Sequence, residues 1–252
     1  MGKLKSNEEI NQIRRAGKIV AACHQQIRRK ISPGVTTLQI DAFVEEFMRR
    51  HGAKPAQKGY KGFPYATCAS VNDVACHGFP GNQPLQSGDV VTIDMVADLN
   101  GWLADSAWSY GVGRTSLQTK TLMQTARLAL YRGIAKARAG NRIGDIGHAV
   151  ESFVTRRGYK VIPDFIGHGI GKKIHEKPDV YHTGKAGTGL LLEEGMVITI
   201  EPIVSAGGIE VWTDTDGWTV KTWDSSKTAQ YEHTIAITRG DPILLTKQNL
   251  NG

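Results

Sequence analysis

Apolar residues recur at spacings of three and four in four stretches of the chain, the period of an amphipathic helix. This pattern predicts helices over residues 7–31, 38–51, 117–137 and 143–157. Ser6 and Glu9 have the spacing of a capping box at the start of the first helix. Runs of β-branched residues predict strands over residues 67–71, 90–99 and 102–112, with a loop over 54–65 and further strands and loops over 161–245. The predicted fold class is α+β.

The chain resembles itself at a shift of about 107 residues. At a shift of 106, residues 34–52 fall on residues 140–158 with seven of 19 positions identical. At a shift of 107, LQSGDVVTIDM falls on LEEGMVITIEP with five of 11 identical, and Asp94 falls on Glu201. We therefore predict one domain over residues 1–252, made of similar halves at 7–112 and 117–246 that share a sheet about a pseudo-two-fold axis. The two acids would then meet at the centre.

Composition narrows the class of protein without identifying it. Of 252 residues, 40% are hydrophobic, which is enough for a sizeable core, and the net charge of +7 says nothing about the fold. The three cysteines form no CxxC pair, which argues against a disulfide framework. There is neither a secretory signal pattern nor an apolar run of about 18 residues. We therefore expect a cytoplasmic protein with no membrane segment.

Acidic residues interrupt apolar strands in both halves. Asp94 and Asp105 flank the Asn100-Gly101 turn of a predicted hairpin, so antiparallel pairing brings them near each other. A buried acid is costly unless it is paired or bound to metal. The alternatives are that one acid faces solvent or that Asp98 pairs with a lysine. A metal site becomes the favoured interpretation because the rest of the chain adds further residues that can bind metal. These are two acids in apolar strands and three histidines near glycines: Glu201, Glu232, His77, His168 and His175.

Four carboxylates with one imidazole form a donor set dominated by oxygen. Such a set suits Mn(II), Fe(II), Co(II) or Zn(II) and neutralises two divalent cations. Two cations that share carboxylates activate water at neutral pH. The sequence thus predicts a dinuclear hydrolase whose remaining histidines contact the substrate.

Five segments together resemble a known family: CHGFP at His77, IGHGIG at His168, ITIEP at Glu201, and DGWTVKT and AQYEHT near the end. In order and spacing they are similar to the type I methionine aminopeptidases of metallopeptidase family M24, which have the duplicated pita-bread fold. The resemblance covers residues 6–246. It implies a monomeric enzyme that removes the initiator methionine from nascent polypeptides whose second residue is small.

The resemblance also implies a role for each matching residue. The implied metal ligands are Asp94, Asp105, His168, Glu201 and Glu232, with Asp105 and Glu232 bridging the two cations. Glu201 would also shuttle a proton, His175 would stabilise the developing oxyanion and His77 would contact the scissile amide. The implied methionine pocket consists of Tyr60, Phe63, Cys68 and Trp218, although each of these could equally be ordinary core.

The chain departs from the family pattern near the site. The family's His-Gly-Asp-Thr-Ser around the second aspartate is Leu103-Ala104-Asp105-Ser106-Ala107 here, so hydrogen bonding around the ligand can differ. Lys61 replaces the histidine between the tyrosine and glycine, and Lys58 replaces a position that is usually uncharged. Two ammonium groups at the mouth would disfavour a cationic peptide N-terminus or alter sequence preference. We therefore predict a divergent paralogue with reduced or redirected activity.

Other functions remain open at this stage. One alternative is a catalytically weak or inactive pita-bread binding module, although all the metal ligands are present. Another is an Xaa-Pro-type aminopeptidase, although those enzymes usually carry a large additional N-terminal domain. The basic residues of the first helix could contact ribosomal RNA, but a solvated helix face explains them more simply.

Overall fold

The computed structural model describes residues 3–248, which form helices around a set of antiparallel sheets. The helices are α1 (Asn7–Lys30), α2 (Thr37–Arg50), α3 (Leu117–Ile134) and α4 (Ile143–Thr155). The strands of the first half are β1 (Lys54–Pro55), β2 (Cys68–Val71), β3 (Val74–Cys76), β4 (Val90–Leu99) and β5 (Trp102–Gly111). The remaining strands are β6 (Lys160–Val161), β7 (Gly167–Gly169), β8 (Glu176–Val180), β9 (Val197–Ile200), β10 (Ile203–Ser205), β11 (Val211–Thr213), β12 (Val220–Thr222), β13 (Thr228–Gln230), β14 (His233–Ala236) and β15 (Ile243–Leu244).

Helix α1 begins where its capping signal predicts. The Ser6 hydroxyl accepts the Glu9 backbone N–H at 3.2 Å, and the Glu9 carboxylate accepts the Ser6 N–H at 2.8 Å. The capping box is therefore confirmed. Ile13, Val20 and Ile27 repeat at intervals of seven and are fully buried, so one face of α1 packs against β4 and β5.

Strands β4 and β5 form the predicted hairpin. Asn100 and Gly101 both have positive φ, 55° and 76°, which is the geometry of a tight turn that suits two twisted strands. Asp94 is opposite Ala107, and Asp105 is opposite Val96. Because side chains alternate along a strand, this register puts the two aspartates diagonally on the same face of the sheet.

The second half contributes a sheet with the strand order β15-β14-β9-β7-β8. It joins the first hairpin through Thr234, which is fully buried: its hydroxyl donates to the Asp105 carbonyl at 2.8 Å and accepts the Asp105 N–H at 2.9 Å. One large apolar core then runs through both halves, from Val20 in α1 to Ile237 after β14.

The two stretches that match in sequence also match in structure. Helix α4 begins 106 positions after α2. Gly34 and Gly140 both have a φ of 94°, and their N–H groups donate to Leu85 and Leu192, which are 107 positions apart. These correspondences support the division into halves, which remains a prediction.

Two local predictions are wrong. Residues 54–65 are not entirely loop, because β1 pairs with the edge of β4 and a 3₁₀ turn spans Tyr60–Gly62. A strand of two residues is too short to show a period, so only tertiary pairing reveals it. Helix α3 ends at Ile134 rather than 137, because the N–H groups of Lys136 and Ala137 bond back three positions and tighten the chain out of α-helical geometry. Across residues 3–248 no helix has the length and apolarity to cross a membrane.

Candidate metal centre and substrate cleft

Three of the predicted ligands form a compact group. Asp94 and Asp105 face the same side of the β4–β5 hairpin, and Glu232 lies between β13 and β14. One carboxylate oxygen from each residue lies within 4.8 Å of the others. Glu232 is held there because its N–H donates to the Ala107 carbonyl at 2.8 Å and its carbonyl accepts the Ser106 hydroxyl at 2.8 Å.

His168 and Glu201 complete the group from the second sheet. The His168 Nε2 atom is 3.5 Å from Glu201 Oε1 and 3.9 Å from Asp105 Oδ2. Its Nδ1 atom is 3.0 Å from the Gly169 carbonyl, which can only accept, so Nδ1 carries the proton and Nε2 presents a lone pair to the acids. Thr199 aligns both residues: its hydroxyl accepts the His168 N–H at 2.9 Å and donates to Glu201 at 2.6 Å.

The charge of this group is not compensated by the protein. Within residues 3–248 no lysine or arginine forms an ion pair with any of the four acids. Burial raises the pKa of Asp94 to about 6 and that of Glu201 to about 8. Burial, reinforced by the neighbouring carboxylates, also raises the pKa of Asp105 and of Glu232. Burial lowers the pKa of His168 to about 4, which keeps its ring neutral.

Unused acceptor atoms provide the test of whether a metal fits. Asp105 Oδ1 and Glu232 Oε1 are buried and accept no hydrogen bond from the described residues. A buried carboxylate oxygen without a partner is costly, and a cation supplies the missing partner. Oxygen donors with one imidazole Nε2 suit a borderline or hard divalent ion. The donor set therefore fits the predicted divalent metals.

His175 stands next to this group. Its ring centroid is 4.3 Å from that of His168, and its Nδ1 atom is 2.8 Å from the Tyr60 hydroxyl. Burial, followed by the nearby charge of Lys61, lowers the pKa of His175. If the Tyr60 hydroxyl donates to Nδ1, the neutral ring carries its proton on Nε2, the form that donates a hydrogen bond to a substrate.

His77 approaches the same space from the first half. It has a φ of 55°, an uncommon conformation for a residue other than glycine and one that is enriched at functional sites. Its ring makes edge-on contacts with Phe165 at 5.5 Å and with Trp218 at 6.0 Å. Burial lowers its pKa to about 4. His77 is therefore a neutral imidazole held between aromatic rings.

A cleft of about 490 Å³ opens onto these groups, and its wall includes His77, Asp94, His168, His175 and Glu201. Of the predicted pocket residues, Phe63 packs edge-on against Trp218 at 5.1 Å, and Tyr60 reaches the site through His175. Cys68 is buried opposite Asp94 in the β2–β4 pair. These four residues stand beside the cleft and do not form its wall.

Sequence reasoning missed several residues of the site. Cys76, Phe165 and Gln230 line the cleft, and Thr199 aligns two of the ligands. His182, which is buried, accepts the Glu201 N–H on its Nε2 atom at 3.0 Å. Cys76 adjoins His77, and Gln230 lies two positions before Glu232, so proximity in sequence was a usable signal for both. Nothing in the sequence marks His182, because it reaches Glu201 only through the fold.

Lys61 and Lys58, the two lysines that depart from the family pattern, lie in different surroundings. Lys61 lines the cleft, with its ammonium 5.4 Å from the centre of the Tyr60 ring and no carboxylate partner within residues 3–248. The Lys58 ammonium instead lies 2.7 Å and 2.8 Å from the two oxygens of Glu45 on the surface. The expectation of two ammonium groups at the mouth is therefore correct for Lys61 and wrong for Lys58.

A family model matches most of the chain. Residues 11–239 match the model described as metallopeptidase family M24. The chain is 42% identical to methionine aminopeptidase 1 of Bacillus subtilis, over 96% of this chain and 98% of that protein. It is 43% identical to a methionine aminopeptidase of Clostridium perfringens with the same coverage.

Solved structures give the same result. A crystal structure of methionine aminopeptidase from Rickettsia prowazekii superposes with a TM-score of 0.96 at 40% identity, covering 98% of this chain and all of that one. The prolidase of Pyrococcus furiosus superposes with a TM-score of 0.80 at 25% identity, and only 66% of its chain is covered. The predicted pita-bread fold is confirmed.

Proposed function

Since this chain belongs to metallopeptidase family M24, we propose that it is a metal-dependent methionine aminopeptidase of type I. It hydrolyses the bond after an N-terminal methionine when the second residue is small. The observation that carries this proposal is the group of four acids and His168, of which Asp94, Glu201 and His168 lie on the wall of one cleft. The chain that holds this group is about 40% identical to methionine aminopeptidases over nearly its whole length.

The proposed cofactor is a pair of divalent cations, Co, Mn, Fe or Zn. Asp105 and Glu232 would hold both, His168 and Glu201 would hold one, and Asp94 would hold the other. The orphaned oxygens of Asp105 and Glu232 support bridging roles. When bound, such cations polarise the substrate carbonyl and activate a water.

Three side chains carry the rest of the proposed chemistry. Glu201, whose carboxylate lies on the cleft wall beside the proposed cations, would accept a proton from the attacking water and return it to the departing amine. His175, with its proton on Nε2, donates a hydrogen bond to the carbonyl oxygen as negative charge develops there. His77 contacts the scissile amide and orients its nitrogen.

The methionine side chain would bind beside Tyr60, Phe63, Cys68 and Trp218. Phe63 packs edge-on against Trp218 beside the cleft, and thioethers pack favourably against aromatic edges. The buried Cys68 thiol adds a polarizable surface. A limited space beyond these residues would account for the preference for a small second residue.

The proposed partners are the N-termini of nascent polypeptides, met by a monomer in the cytoplasm. Contact of the basic residues of α1 with the ribosome is a secondary part of the proposal. Pelleting with ribosomes at low and high salt tests it, because phosphate contacts weaken as salt rises. Failure to co-sediment at low salt would remove this part.

The activity test uses tripeptides that differ at one position. With added Mn(II) or Co(II), the protein should release methionine from Met-Ala-Ser and not from Met-Leu-Ser. Bound metal without turnover of Met-Ala-Ser would favour the inactive binding module. Cleavage of Xaa-Pro peptides in place of Met-Ala-Ser would favour the Xaa-Pro-type alternative, which the 25% identity to prolidase, against 42% to a methionine aminopeptidase, disfavours.

A further inference from the structure

We propose that Lys5 is a positioning residue for His175, acting through a buried ion pair with Glu176. Lys5 lies in the segment before α1, and Glu176 directly follows His175 in the chain. The pair connects positions 171 residues apart. This inference rests on the function proposed above and adds to it a residue outside the cleft wall.

The ion pair is the most enclosed lysine contact of the described residues. The Lys5 ammonium is 2.6 Å from Glu176 Oε2, and the Lys5 side chain is 2% exposed. Surface ion pairs are worth little because water competes with them. Breaking a buried pair leaves one charge without compensation, so the structure around it must rearrange.

Glu176 uses its other oxygen to close the turn that carries His175. Its Oε1 atom accepts the N–H groups of Lys172 at 2.8 Å and Lys173 at 3.1 Å. The ammonium and these two N–H groups lower the pKa of Glu176 although burial opposes them, so the side chain stays ionised. His175 is therefore attached to a turn that is fixed by the adjacent carboxylate.

The chain leaves space for Lys5 at this turn. A Cβ at Gly171 would lie 2.7 Å from the Lys5 Cε atom and 2.9 Å from its Nζ atom, so a larger residue there would displace the lysine. The Lys5 backbone is tied down as well, because its N–H donates to the Gly195 carbonyl at 2.8 Å. The ammonium is thus held against the turn by a lysine whose backbone is itself fixed.

His175 is consequently restrained from two directions. Glu176 restrains its backbone, and the Tyr60 hydroxyl, 2.8 Å from Nδ1, restrains its ring. A hydrogen bond that strengthens as charge develops needs its donor held within a fraction of an ångström. Loss of Lys5 would loosen the first restraint without replacing any residue that lines the cleft.

The test compares Lys5→Met with Lys3→Met. Lys3 is the matched control because it precedes the same helix but makes an exposed ion pair with Glu9. We expect Lys5→Met to lower kcat for Met-Ala-Ser about tenfold, with KM within about twofold and metal content unchanged, because the interaction weakened acts mainly in the transition state. Lys3→Met should match the wild type.

A second readout does not depend on activity. In the metal-free protein, the amides of Lys172 and Lys173 should exchange with deuterium at least about tenfold faster in Lys5→Met than in the wild type or Lys3→Met. Should Lys5→Met fail to fold, Glu176→Gln gives the same test, since glutamine keeps the acceptor for both amides and loses the charge. The variant that combines Lys5→Met with Glu176→Gln should have a kcat no lower than that of the slower single variant, because both changes break the same ion pair.

The outcomes separate the two proposals. A normal kcat and normal amide exchange in a Lys5→Met protein that only unfolds at lower temperature would overturn the positioning role, as would an equal loss in Lys3→Met. Absence of methionine release by the wild type would instead refute the proposed function. The exchange measurement would then still decide whether Lys5 holds the turn.

Discussion

At the scale of single residues, uncompensated buried charge is the feature that connects this sequence to a function. Asp105 and Glu232 are 6% and 1% exposed, and each has an oxygen without a partner among the described residues. Four acids this close together would destabilise a protein that bound no metal. The pair of cations proposed above would remove this penalty, which would explain why strands that are otherwise apolar keep these acids.

Replacement of Asp105 tests this explanation. Asp105→Ala should lose at least one equivalent of bound Mn(II) and reduce kcat/KM for Met-Ala-Ser by more than about 10³-fold, because a bridging ligand is removed. Metal analysis and a methionine-release assay measure both effects. Asp98→Asn is the control on the same hairpin, since the only hydrogen bond of the Asp98 side chain among the described residues is the one it accepts from the Gly101 N–H. Full activity of Asp105→Ala would refute the assignment.

Lys61 should influence which peptides are preferred. Its ammonium lines the cleft and has no carboxylate partner in the described part of the chain, so it should favour an acidic residue after the second position of the peptide. Lys61→Ala should lower the ratio of kcat/KM for Met-Ala-Glu over Met-Ala-Lys about threefold, equivalent to ~0.7 kcal/mol for an exposed charge contact. Lys58→Ala, whose lysine pairs with Glu45, should leave the ratio unchanged. Equal ratios in the two variants would exclude the effect.

At the scale of elements, helices and the central hairpin could be predicted because their signals are local. The Ser6 capping box, the apolar spacing of α1 and the Asn100-Gly101 turn all act within a few residues. The β1 strand could not be predicted, since two residues show no period and pairing with β4 defines it. The same limit hid Lys5, His182 and Thr199, whose partners are brought to them by the fold.

Close packing of α4 should make a glycine there irreplaceable. A Cβ at Gly147 would lie 2.4 Å from the Thr183 carbonyl oxygen, which is backbone and cannot move aside. Alanine is normally the better helix former, yet Gly147→Ala should lower the free energy of unfolding by about 3 kcal/mol. Gly133→Ala, which meets only side-chain methyl groups, should cost about 1 kcal/mol. Urea unfolding measures both, and equal costs would contradict this account.

His24 connects α1 to β5 and should make stability depend on pH. Burial lowers its pKa to about 4 from a usual 6.5, and its two ring nitrogens bond Tyr110 and Ser106. The unfolded chain therefore binds a proton that the folded chain does not between pH 6.5 and 4. The contribution of His24 to the free energy of unfolding is therefore full above pH 6.5. It falls by about 3 kcal/mol as the pH decreases through this window.

His24→Gln provides the comparison for that prediction. Glutamine can still donate to the Ser106 carbonyl but does not titrate. Urea unfolding at pH 7 and at pH 4.5 should show a smaller loss of stability in the variant than in the wild type. The same loss in both proteins would mean that His24 does not contribute to the pH dependence.

At the scale of the whole molecule, the site forms where the two halves predicted from the sequence meet. Asp94 and Asp105 come from the first half, and His168, Glu201 and Glu232 come from the second. The match of Asp94 with Glu201 predicted this convergence from the sequence. The sequence match could not predict which side chains form the wall of the cleft. The proposed pocket residues Phe63 and Trp218 stand beside that wall.

The most direct measurement is an anomalous diffraction map of crystals grown with Mn(II). The account predicts two peaks roughly 3.5–4 Å apart, with Asp105 and Glu232 between them, His168 and Glu201 at one peak and Asp94 at the other. Protein that is saturated with Mn(II) but shows no peak among these five side chains would contradict it.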